Sequence, residues 1–563
     1  MKRCALVVLL GSLLGLIGAP VVSAEVTEQD FETFLKDYEA RVVPLDKESA
    51  LSYFNAVNSG SDADYAKSTE ASLALEKIHS DPVAFARVKA FRESGQITDP
   101  LLKRQLEIIY LTYLGSQIDS TILEELISRE TAIEQKFNTY RVTLGDRSLS
   151  DNDVDSILRN STNTVELEEI WKASKQIGRE VAGDIIELVR LRNRAATSLG
   201  FSNFYEMQLR LGEQDPVEIA ALFEELDSLT RSPFAHYKKQ VDSALAVHYG
   251  VAPRDLRPWH YQNRFFQEAP RIYDVDLNTF YVGKDPVELS RKYFAGIGIP
   301  VDSILLRSDL YERPGKYQHA QCVDIDRSGD VRVICSVRPD YYWTNTMLHE
   351  LGHGVYDLYT DRQAPWLLRG AAHSLTTEAI ANFFGRLATN PRWLAEVVGV
   401  PGAEINRSAD DCTRMLRLEQ IVFSRFVQVM LHFERALYEN PDQNLNKLWW
   451  DLVEKYQGLT PLVGRDEPDW ASKVHIATAP VYYHNYLMGE LLASQITDVL
   501  GRKVLEASDP HHLSFASDPR VGRYLVENVF QLGARYPWNE MIERATGEKL
   551  TSKYYAKQFI DAK

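Results

Sequence analysis

Apolar residues recur at helical spacing over most of the 563-residue chain, and Gly or Pro closes many of the runs. One such pattern covers 165–199 and stops at Gly200; another covers 216–248 and stops at Gly250. Met347, Leu351, Val355 and Leu358 mark a further helix with one core face, and Leu375, Ala379, Phe383 and Leu387 mark the next. The stretch 318–336 differs. Val323-Asp324-Ile325 and Val331-Arg332-Val333-Ile334 are short β-like runs around Arg327-Ser328-Gly329-Asp330, which predicts a hairpin. The expected fold class is therefore mainly α with one small β-element. No low-complexity linker, charge block or internal repeat divides residues 25–563, which read as a single domain.

Roughly opposite the stripe of the third helix stands His349-Glu350-Leu351-Gly352-His353. Residues i and i+4 share a helical face, so both imidazoles can reach one tetrahedral Zn²⁺ while Glu350 reaches the water beside it. Glu378, 25 positions after His353, begins the fourth stripe among apolar neighbours, where an unpaired carboxylate is costly and a metal removes the cost. A solvated first-turn glutamate is the other reading of Glu378. Two His, one Glu and no nearby thiolate leave a coordination position for water, the pattern of a catalytic rather than a structural zinc, one per chain.

Other segments carry a resemblance over most of the chain. Lys455-Tyr456-Gln457-Gly458-Leu459, Lys473-Val474-His475-Ile476, Tyr483 with Tyr486, and Leu532-Gly533 through Pro537-Trp538 to Thr546-Gly547 resemble, in order, landmarks of the angiotensin-converting-enzyme family of zinc peptidyl-dipeptidases. Glu169-Ile170-Trp171-Lys172 to Arg192 and Gly200-Phe201 is similar to that family's long helix before the cleft. The resemblance implies a helical ellipsoid of two subdomains around a deep groove, with lid-like helices over about 25–140 and zinc at the floor. It implies His349, His353 and Glu378 as zinc ligands and Glu350 as general base. His475 and Tyr486 would donate to the oxyanion, and Lys473 and Tyr483 would hold the substrate's C-terminal carboxylate. His319 and Ala320 would contact the substrate backbone, and Gln262 would be a third carboxylate anchor. Without the resemblance, Lys473 reads as a surface lysine and His319 as an ordinary hairpin residue.

The chain also departs from that family. The spacing to Glu378 is one residue longer and equals that of the thimet-oligopeptidase family, which Tyr482-Tyr483 through Tyr486-Leu487 and Glu490 partly resemble. His475 to Tyr483 also carries one extra residue. Asn382 stands where the family has an aspartate that orients a zinc-bound histidine, and an amide polarises the imidazole less. Val453 and Asn485 stand where chloride-activated members carry arginines, so weak or absent chloride activation is expected.

Lys2 and Arg3, the apolar run from Ala5 to about Ile17 and Val22-Ser23-Ala24 predict a cleavable secretory signal over 1–24, carrying Cys4 away with it. The chain is then expected to be secreted, periplasmic or extracellular, with no stable membrane span after signal removal. Asn160-Ser161-Thr162 and Asn406-Arg407-Ser408 are glycosylation sequons relevant only in a eukaryotic pathway. Of the remaining cysteines, Cys322 and Cys335 flank the two β-like runs, which makes a cross-hairpin disulfide the expectation and leaves Cys412 unpaired and buried. Net charge −16 with no basic stripe argues against a nucleic-acid partner. Nine Trp and 28 Tyr are mainly core, with some lining a groove. The function expected is removal of C-terminal dipeptides from oligopeptides. The alternatives are an oligopeptidase cutting internally and a noncatalytic peptide-binding homologue.

Overall fold

A computed structural model describes residues 27–560; the expected signal segment and Cys4 lie outside the described residues. The protein is mainly α, and its described residues form two two-stranded sheets. Five helices open on an Asp-Pro pair, at Asp81, Asp99, Asp215, Asp285 and Asp518. The Asp carboxylate accepts first-turn N–H groups, while Pro needs no partner at the first helical position. The pattern over 216–248 is the helix Pro216–Tyr249, closed by Gly250 at φ 66°. The pattern over 165–199 is two helices, Thr164–Ser174 and Gln176–Ser198, broken at Lys175. The Lys175 amine packs 3.2 Å from the centroid of the Phe265 ring, so the break carries a buried amine into the core.

One large core runs from Leu126 to Phe559. The N-terminal helices carry a separate one: Phe31, Phe34, Tyr38 and Val42 of Glu28–Ser59 join Val88 and Phe91 of Pro82–Ser94 and Leu106, Ile109 and Tyr113 of Pro100–Gly115. Trp366 and Leu367 of the body complete it. Helix Ser120–Thr139 contributes Leu126 and Ile133 to the large core instead. Phe54 and Val57 form a third, small cluster with Ile325 and Ile334. Buried Arg104 bridges the layers, with Nη2 2.7 Å from Glu213 Oε2 and Nε donating to the Ala534 carbonyl at 2.8 Å. A cavity of about 760 Å³ lies between Asp46, Tyr53, Ser72 and Arg104 on one side and Asp324, Asp357 and His373 on the other.

The predicted hairpin forms as Gln321–Asp324 antiparallel to Val331–Ile334 and packs on the helix that bears the histidine motif. Its register corrects one expectation. Cys322 pairs with Val333, which leaves Cys335 diagonally displaced by two residues, and both thiols are free. A diagonal pair sits about 7–8 Å apart, beyond ordinary disulfide reach. Cys412 is buried and free. Among the described residues no helix is long and apolar enough to cross a membrane.

Candidate metal centre and active site

Three helices build the centre. Tyr341–Leu358 carries His349, Glu350 and His353; Ser374–Gly385 carries Glu378 and Asn382; Tyr483–Val499 carries Tyr486. Met347, Leu351 and Val355 are fully buried behind the first, and Leu375, Ala379 and Phe383 behind the second, so each apolar stripe fixes the roll of its helix and turns the polar residues to one cleft. Two glycines set the spacing. A Cβ on Gly352, inside the motif, would lie 2.7 Å from the Ala381 Cα. A Cβ on Gly489 would lie 3.0 Å from the Glu378 Cβ. Only glycine lets the flanking helices approach the glutamate helix this closely.

The ligand atoms of His349, His353 and Glu378 all lie within 4.8 Å of one another. His349 Nε2 is 3.8 Å from Glu378 Oε2. Thr377 Oγ1 lies 2.8 Å from His353 Nδ1, which leaves Nε2 for a metal. The Asn382 amide lies beside His349 and favours its protonated form. Burial lowers both histidines, to about 4 and about 3, holding them in the neutral, ligating form. Burial, and then the charge of Glu490, raises Glu378 to about 7. The Glu490 carboxylate itself is paired with Arg386. A largely buried carboxylate facing two neutral imidazoles is a donor set that one divalent ion of zinc's ligand preferences fits. Buried Glu350 is raised to about 8, first by burial and then by Glu378.

A second wall faces this centre. The His475 and Tyr483 ring centroids are 5.1 Å apart, those of His475 and Tyr486 6.5 Å, and those of Tyr482 and Tyr486 5.2 Å. Burial raises Tyr486 to about 12 and the Glu378 charge acts on both Tyr482 and Tyr486, so these hydroxyls stay protonated donors near the metal ligands. His475 Nδ1 is buried without a partner. Lys473 is buried, with Nζ 4.9 Å from the Tyr483 centroid, and it donates to Gln267 Oε1 at 2.6 Å.

The structure thus sets Glu350 and Tyr486 beside the three candidate ligands and gathers His475, Tyr483 and Lys473 along the wall that Tyr486 shares, while Gln262 lies outside that wall. Gln262, at φ 59°, accepts from the Arg271 N–H at 2.8 Å and tightens its own loop, while Gln267 reaches Lys473. His319 is exposed, its ring 5.1 Å from that of Tyr317, and Ala320 directly precedes the first hairpin strand. Thr377, Tyr482 and Gln267 are the site residues that sequence reasoning left unassigned. Thr377 could have been found from its place beside Glu378; Gln267 lies in irregular chain with no periodicity to place it.

The profile of the angiotensin-converting enzyme family matches residues 25–254 and 281–559. This chain belongs to that family. Among its relatives, the angiotensin-converting enzyme of Theromyzon tessulatum is 24% identical over 531 residues, 86% of this chain and 85% of that protein. The angiotensin-converting enzyme of Sus scrofa is 24% identical over 435 residues, 70% of this chain, and the match spans 32% of that longer protein. The inactive angiotensin-converting enzyme-related protein of Caenorhabditis elegans is 21% identical over 578 residues, 92% of this chain and 61% of that protein. The family match leaves out 255–280, the stretch that holds both Gln262 and Gln267.

Proposed function

We propose that the chain is an exported zinc peptidyl-dipeptidase that removes C-terminal dipeptides from oligopeptides. The observation that carries this reading is a buried cation, Lys473, in the same wall as His475, Tyr483 and Tyr486 and held by Gln267. A fixed positive anchor beside a hydrolytic centre measures distance from a substrate's carboxylate end, which an internal endopeptidase does not need.

His349, His353 and Glu378 would hold zinc, whose charge, when bound, acidifies water and polarises the scissile carbonyl. Glu350 takes the proton of the attacking water and returns it to the leaving amine nitrogen. His475 and the Tyr486 hydroxyl donate to the carbonyl oxygen as negative charge develops on it. Lys473, Tyr483 and Gln267 bind the terminal carboxylate, and the edge of the hairpin at His319 and Ala320 lies along the peptide backbone. Asp357, at the i+8 position from His349 and on the same helical face, lines the 760 Å³ cavity, which supports a groove running from the centre beneath lid-like N-terminal helices. Such a groove takes oligopeptides and excludes folded proteins.

A noncatalytic peptide-binding reading draws on Asn382 and on the inactive relative, but the general base and both oxyanion donors are present here. The test is mature protein of known zinc content, incubated with a free-acid oligopeptide and its C-terminally amidated twin, beside Glu350→Gln. Stepwise dipeptide release from the free acid alone, abolished in the variant, is the expected result. Equal cleavage of both peptides would establish an oligopeptidase, and cleavage of neither despite full zinc would return the binding reading.

A further inference from the structure

The oxyanion wall is made by one tight reversal of the chain, and the reversal is strained. Lys473 and the short helix His475–Thr478 lead through Ala479 and Pro480 to Val481, after which Tyr483–Val499 begins. Val481 has φ 55°, a left-handed conformation that a β-branched side chain avoids.

Two buried side chains outside the site grip it. Glu434 Oε1 accepts the Val481 N–H at 2.9 Å, and Glu434 is only 2% exposed. Arg192, 1% exposed, donates through Nη2 to the Ala477 carbonyl at 2.5 Å, satisfying an orphan acceptor at the end of the short helix. The same guanidinium is fixed by Glu130 at 2.7 Å and by the Tyr438 hydroxyl at 3.1 Å. Tyr438 and Glu434 lie four residues apart on one face of Gly402–Glu439. No ordinary packing need explains a buried carboxylate and a buried guanidinium aimed at one turn, since burying both is costly unless they fix a geometry.

We propose that Glu434 and Arg192 are positioning residues: they hold the strained turn at Val481 so that His475 and Tyr486 converge on the developing oxyanion. This rests on the peptidase reading above. Neither residue touches substrate; each acts through the backbone between the anchor Lys473 and the donor Tyr486.

Three variants test it in the zinc-loaded protein, with kinetics on a free-acid oligopeptide and amide exchange of segment 473–486 read by mass spectrometry. Glu434→Ala should lower kcat about tenfold or more while KM and zinc content hold, and should speed exchange in that segment alone. Glu434→Gln keeps an oxygen acceptor for Val481 and should stay within about threefold of the parent. Adding Val481→Gly to Glu434→Ala removes the strain and should recover most of the lost kcat. Unchanged kcat and exchange in Glu434→Ala, or a loss that glycine does not recover, overturns the proposal. If the parent protein cleaves no peptide, the peptidase reading fails separately, and the exchange data alone decide whether Glu434 holds the turn.

Discussion

Lys473 Nζ and Gln267 Oε1 are 2.6 Å apart, and the lysine is buried against the rings of Phe265, Phe426 and Tyr483. Burial pulls its amine down to about 7. Only the protonated amine pairs with a carboxylate, so the anchor is intact below that value and is lost as pH rises through it. KM for a free-acid peptide should therefore climb from about pH 7 upward in the parent but not in Lys473→Met. Lys473→Met should cost about 2 kcal/mol in binding, a roughly 30-fold higher KM with kcat much less affected. Initial-rate kinetics across pH on the free-acid peptide, with parent and variant side by side, checks this, and a flat parent profile would remove Lys473 from the anchor.

His475→Phe and Tyr486→Phe each delete one donor to the oxyanion. Each should lower kcat by about 10²–10³ and leave KM nearly unchanged, because the interaction strengthens only in the transition state. Steady-state kinetics with zinc content measured in parallel separates this from metal loss.

Asn382 stands beside His349 with a neutral amide. Asn382→Asp should make the imidazole a stronger donor and raise zinc affinity about tenfold. Competition with a chelator of known affinity measures it, and equal or weaker zinc retention would deny Asn382 that role.

Chloride should change activity by less than about twofold. Val453 is buried and uncharged, and Asn485 Oδ1 accepts from Gln214 Nε2 at 2.6 Å. Lys175 lines the same small cavity as Val453, yet burial drives its amine well below the ordinary lysine range, so it offers no settled charge. Rates in chloride and in acetate salts of equal ionic strength provide the comparison. Activation abolished by Lys175→Met would show that the amine, rather than an arginine, receives the anion.

Gly352→Ala should separate the motif and glutamate helices, because the new methyl meets backbone that cannot swing away. A destabilisation of about 1–3 kcal/mol is expected. Lost zinc retention should accompany the lower melting temperature, since the same displacement moves Glu378 from the histidines.

The centre was legible where local periodicity and ligand spacing agree. His349, His353 and Glu378 sit on helices whose apolar stripes are strong, so their faces follow from the chain alone. The helix ending at Gly250 was legible for the same reason. The break at Lys175 was not, because a helical pattern runs straight across it and the cause is a remote aromatic ring, Phe265. Gln267 was missed because 256–277 is loop and 3₁₀ turn, with Gln262 and Phe266 at positive φ and no period to count. The cysteine pair failed on hairpin register: a shift of two residues would have set Cys322 opposite Cys335. Glu434 and Arg192 carry no local signal, since their importance lies in what a distant turn requires.

The N-terminal helices keep their own interior and meet the body through Trp366, Leu367, the Phe54 cluster, the Arg104 guanidinium and polar contacts of Asp46, Lys47, Tyr53 and Asn58 with the hairpin and the loop before it. Parting such a layer from the body breaks a latch of these contacts and uncovers Trp366, Leu367 and the Phe54 cluster, yet leaves most of each interior packed, so it lies below global unfolding in opening free energy. Admission to the centre then becomes a matter of frequency as much as of width. Turnover of long peptides would follow how often the latch releases, and a clamp across it, such as an engineered crosslink from helix Pro100–Gly115 to the segment around Glu213, would slow large substrates before small ones.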